Sequence, residues 1–210
     1  MPTGANPCVL PEHLQRYARS AAQEFGLPPE FVLTVLWAQQ RYDYNLQDLL
    51  EDLLAQSALE MIAAQETLPP WARGFTGPYG AEGWMVLWVI ERLDLSLGVS
   101  QIRLSSAREA AAWAAQLGLE GYDPGISTRE LGRQLEDPEW NTRYMAGYLR
   151  LLADMRGTQE FTLPEMQILY GAYRVGPWTE AAPGVSAIRL SEPGPLGSLL
   201  APLCLEYYSE

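Results

Sequence analysis

Apolar positions along the chain recur mostly at helical spacing. Phe31, Val32, Val35 and Leu36, with Gln39 on the same stripe, predict a helix from Glu30 to about Arg41, opened by Pro29. Before it, Pro11 to Phe25 reads as a helix stopped by Gly26 and the Pro28–Pro29 pair. Leucines at 49, 50, 53, 54 and 59 predict a helix over 46–67, with Asp48, Glu51 and Asp52 on its solvated face. Ala81 to Leu93 is apolar nearly all round and reads as a buried helix, after a turn-rich loop (69–80) carrying Trp71, Phe75 and Tyr79. Further helices are expected at Ser105 to Gln116, near Thr128 to Leu135, from Pro138 with Asp137 as N-cap, and from Pro164 to the Gly176–Pro177 stop. From Ala181 onwards Pro and Gly are frequent and apolar residues scattered, which reads as a tail packed on the surface. The expected fold is mainly α: one domain over 1–210, with a helical core at 11–180 and the tail at 181–210.

Three polar features break the apolar pattern. Gln39 lies one turn past Val35 on a buried face, where an amide must find a partner or line a cavity. Asn141 shares a face with Met145, Tyr148 and Leu152. SLGVSQI, Ser96 to Ile102, is a poor core strand: Gly98 allows a sharp turn or close approach, and Gln101 stands between Ser100 and Ile102. Such a segment suits the wall of a cleft.

Composition narrows the chemistry. The formal charge is −12, and every cation is Arg, which excludes a Lys Schiff base. No local basic stripe offers a track for phosphates, so no nucleic-acid partner is expected. The single histidine, His13, sits in a charged helix and is a poor candidate for nucleophilic catalysis. Cys8 and Cys204 lie near opposite ends, either bridged or as two buried thiols. Neither a metal site nor a cofactor is indicated. The first residues lack the basic and apolar regions of a signal peptide, and the run from Trp84 to Ile90 is too short to span a bilayer. A soluble chain without membrane insertion is expected, cytoplasmic or exported by another route; oligomeric state is left open.

Taken in order, these pieces resemble the lysozyme-like superfamily, in its soluble lytic transglycosylase and goose-type lysozyme branch. SLGVSQI resembles that family's Gly-Leu-Met-Gln turn, with Gly98 and Gln101 at the matching places. DPEWN followed by YMAGYL (137–149) is similar to its Asn-bearing helix, and AYRVGP (172–177) to its Ala-Tyr-Asn-Ala-Gly-Pro segment. The resemblance runs from about Leu27 to Pro177 and implies a peptidoglycan-type glycan ligand. It also implies a substrate-binding set of Ser96, Gly98, Gln101, Asn141 and Tyr173, and an enlarged insertion between the acid-bearing helix and the turn.

The departure falls on the acid. FVLTVLWAQQRYDYN resembles the family helix that ends in the catalytic Glu, and it places Gln39 at that position; a one-residue shift gives Gln40, again an amide. The family reaction needs a carboxylic acid to protonate the glycosidic oxygen. An amide has no titratable proton to give. Arg174 and Val175 replace the family's Asn and Ala, so three changes fall in one proposed cleft. Glu51, Glu91 and Asp94 are the candidate substitute acids. The resemblance therefore implies a glycan-recognising, catalytically impaired protein; the alternatives are a muramidase with a relocated acid, or a non-catalytic helical interaction protein. A deliberate Glu-to-Gln replacement at 39 reads the same as a natural one.

Overall fold

The computed structural model describes residues 8–42, 96–175, 178–182, 185–188 and 202–209. Among these the fold is mainly helical, with seven helices and two small two-stranded sheets. In chain order they are α1 (Glu12–Phe25), α2 (Pro29–Tyr42), β1 (Ser96–Leu97), β2 (Ile102–Arg103), α3 (Leu104–Gln116) and α4 (Thr128–Glu136). Then come α5 (Pro138–Arg156), α6 (Leu163–Val175), β3 (Trp178–Ala182), β4 (Val185–Ile188) and α7 (Pro202–Ser209). The expected helix at 46–67, the aromatic loop at 69–80, the buried helix at 81–93 and the Gly176–Pro177 stop lie outside the described residues.

Local signals set the helix ends. Gly26 takes φ 61°, and the Leu27 N–H reaches back to the Ala22 carbonyl at 2.9 Å, closing α1 with a left-handed cap. Asp137 accepts hydrogen bonds from the N–H groups of Glu139 and Trp140 at 2.8 and 3.2 Å, with Pro138 in the first turn, so α5 starts where its cap and proline dictate. Ser127 caps α4 by accepting from the Glu130 N–H.

α5 is the central element, packed against α1, α3, α4 and α6. Small residues let its neighbours approach. Ala18, Ala21 and Ala22 of α1, and Ala107, Ala110, Ala111 and Ala114 of α3, are all fully buried. A Cβ at Gly147 would stand 3.1 Å from the Phe25 ring, so the hydrogen there is what admits α1. On the outer side of this contact Arg143 donates two hydrogen bonds to Glu24, at 2.9 and 2.7 Å, and lies 4.1 Å above the Trp140 ring. Lysine keeps the charge but neither the fork nor the stack. Arg143→Lys is therefore expected to cost about 1–2 kcal/mol in urea unfolding; an unchanged midpoint would show that the stack contributes nothing.

The C-terminal stretch differs from the surface tail expected from its composition. β3 and β4 form an antiparallel hairpin, and α7 packs on α2, with Cys204, Leu205 and Tyr208 buried in the main core cluster. Those three residues fall at i, i+1 and i+4, a one-turn apolar face too short to register among the surrounding prolines and glycines. Cys204 is bonded to Cys8, and the Tyr208 hydroxyl donates to the Cys8 carbonyl, so both ends of the described chain meet at α7. Of the two readings left open for these cysteines, the bridge is the one observed. No helix among the described residues is long and apolar enough to cross a membrane.

Candidate functional site

The segment Ser96 to Ile102 is a tight antiparallel hairpin: Ser96 pairs with Arg103 and Leu97 with Ile102, and Gly98 to Gln101 form the turn. Gly98 has φ 71°, and Gln101 has φ 50°, a left-handed conformation uncommon outside glycine. The turn closes through the Gln101 N–H and the Gln101 side-chain amide, which both donate to the Gly98 carbonyl, at 3.1 and 3.0 Å. The strain at Gln101 is thus held by its own side chain.

Three helices fix this turn. From α5, the Asn141 carboxamide accepts from the Ser100 N–H at 2.8 Å and donates to the carbonyls of Leu97 and Leu135, at 2.8 and 2.9 Å. Asn141 is fully buried, and both its N–H bonds are taken up by backbone; its part in the site is to tether the turn. From α6, the Tyr173 hydroxyl donates to the Ser100 carbonyl at 2.7 Å. Burial pushes that phenol well above its ordinary range, so it stays a neutral donor. From α2, the Gln40 amide donates to the Val99 carbonyl at 2.6 Å.

Gln39, one residue earlier, is fully buried at the end of α2. Its Oε1 accepts from Arg174 at 3.1 Å, and its Nε2 has no hydrogen-bond partner among the described residues. The Ser100 hydroxyl is likewise buried without a partner there. Two buried, unsatisfied donors beside one braced turn are uncommon and call for an explanation.

The residues singled out from the sequence thus meet in part. Gly98, Gln101, Asn141 and Tyr173 share one hydrogen-bond network; Gln39 is bonded to Arg174 and stands next in sequence to Gln40, which holds Val99, but has no hydrogen bond of its own to that network among the described residues. Ser96 sits at the hairpin's base, half-buried. Glu51, Glu91 and Asp94 lie outside the described residues. His13 is exposed on α1, in ring contact with Tyr17 of the same helix. The contact between Arg174 and Gln39 is what sequence reasoning missed. Its signal lay in the resemblance, which marks both Gln39 and Arg174 as departures from the family pattern.

Elsewhere, an open depression of about 540 Å³ lies at the α5–α6 connection, but its Arg156 and Glu165 are bonded to each other at 2.5 and 2.8 Å. No cluster of metal-ligating side chains occurs among the described residues. No family model, curated protein or solved structure matches the chain.

Proposed function

We propose that this chain is a lysozyme-like helical domain, with an enlarged insertion between the helix that carries Gln39 and the turn that carries Gly98, that recognises peptidoglycan-type glycan strands without cleaving them. Support for the fold comes from the convergence of α2, the Gly98–Gln101 turn, the Asn141 helix and the Tyr173 segment on one network. The observation that carries the function is Gln39: the position where a glycan-cleaving enzyme of this kind needs its acid holds a buried amide. Cleavage through an oxocarbenium-like state needs a proton delivered to the leaving oxygen. Losing that general acid removes about 10²–10⁴-fold in rate. Recognition needs no titratable proton. On opening of this buried site, the unpartnered Nε2 of Gln39 and hydroxyl of Ser100 would supply hydrogen-bond donors to sugar oxygens, in a place where the turn backbone is already ordered.

Turbidity assays on purified bacterial cell walls test the loss of cleavage. The expected result is no clearing above buffer. Clearing that disappears on mutation of Glu51, Glu91 or Asp94 would establish a relocated acid and overturn the non-cleaving assignment.

A further inference from the structure

We infer that Arg174 is a positioning residue that holds position 39 out of acid chemistry, fixing the Gln39 amide as an N–H donor and keeping any carboxyl placed there ionised. This rests on the assignment of Gln39 to the acid position proposed above, and it names how that position is set.

A guanidinium carries donors only, so the side-chain atom of Gln39 that meets Arg174 at 3.1 Å must be the amide oxygen. That contact fixes which way the carboxamide lies and leaves Nε2 as the group without a partner among the described residues. A protonated glutamic acid also offers one donor to a ligand oxygen. The fixed amide keeps that donor and has no proton to release, so the contact is retained and the cleavage is not.

The same guanidinium makes the substitution at 39 hard to reverse. A general acid works when an apolar wall raises its pKa; a cation within hydrogen-bond distance does the opposite. Among the described residues Arg174 is the charged group bonded to Gln39. The other titratable groups on adjoining elements are differently engaged. Tyr173 is held neutral by burial and bonded to Ser100, and Tyr208 is bonded to the Cys8 carbonyl. Arg103, Glu206 and Tyr207 are exposed. A glutamate at 39 would therefore be an ion-paired carboxylate near neutral pH, an acceptor where the amide is a donor.

The test is a side-chain carboxyl ¹³C NMR titration of Gln39→Glu, alone and combined with Arg174→Asn or Arg174→Lys. In the single variant the new carboxyl is expected to titrate about 1–3 pH units below the ordinary glutamate value. The depression should persist with Lys and vanish with Asn. A carboxyl that titrates at or above the ordinary value in the single variant, or that ignores both changes at 174, overturns the inference. So does failure of the single variant to fold near neutral pH, because a buried carboxylate paired with Arg174 is tolerated and an unpaired one is not. The wider proposal fails separately. A depressed value in a protein that does not bind glycan leaves the pairing standing and removes the function.

Discussion

Gly98→Ala is expected to destabilise the protein by about 3 kcal/mol or more, the largest effect of any single methyl group in the described fold. Two independent costs add. The residue has φ 71°, which costs about 1–2 kcal/mol for an L side chain. The added Cβ would stand 2.3 Å from both the Asn141 amide nitrogen and the Leu135 carbonyl oxygen, far inside van der Waals contact. The hairpin must then leave Asn141, and the Ser100 N–H and Leu97 carbonyl lose their buried partner. Removing Asn141 as well should not rescue the variant, because the clash with the Leu135 backbone remains. Urea unfolding of the Gly98→Ala, Asn141→Ala and double variants measures this; a Gly98→Ala protein within about 1 kcal/mol of wild type would mean the turn is not braced as described.

Opening the Cys8–Cys204 bridge should weaken the fold by about 2–5 kcal/mol. The bridge spans 196 residues of sequence, so in the chain-entropy account it sits near the upper end of that range. It also secures α7, whose Leu205 and Tyr208 are buried in the core cluster, against the start of the chain. Thermal unfolding with and without reductant, compared with Cys8→Ala/Cys204→Ala, checks it. Reductant and the double variant should lower the midpoint alike, and reductant should leave the double variant unmoved. A midpoint insensitive to both would show that core packing alone retains α7.

How much of this was legible in the sequence follows the range of each interaction. α1 and the start of α5 were readable almost to the residue, because Gly26 and the Asp137–Pro138 pair act within one turn of the chain. The stripe of Phe31, Val32, Val35, Leu36 and Gln39 is buried as its spacing implied, but α2 is buried all round from Phe31 to Gln39, which the stripe did not reveal. α7 was not: its apolar face is one turn long, and its burial depends on α2 and a cysteine far away in sequence. In the candidate site, Gly98, Gln101 and Asn141 stood out as polar or small residues in apolar settings, and Tyr173 only through the family resemblance. Their division of labour was hidden. Asn141 looked like a group for a ligand, yet its hydrogen bonds tether Leu97, Ser100 and Leu135; nothing in its flanking sequence tells which backbone it will meet. The Arg174–Gln39 contact joins residues 135 apart in sequence, so no local pattern announces it.

Gln39 therefore combines burial, an oxygen held by Arg174 and a donor without a partner among the described residues, at the position that the proposed lysozyme-like reading assigns to the acid. Co-sedimentation of the full chain with intact, insoluble peptidoglycan, followed by mass spectrometry of the supernatant, tests binding without cleavage most directly. The expected result is protein in the pellet and no soluble glycan fragments in the supernatant. Protein left wholly in solution, or fragments released by it, would contradict that expectation.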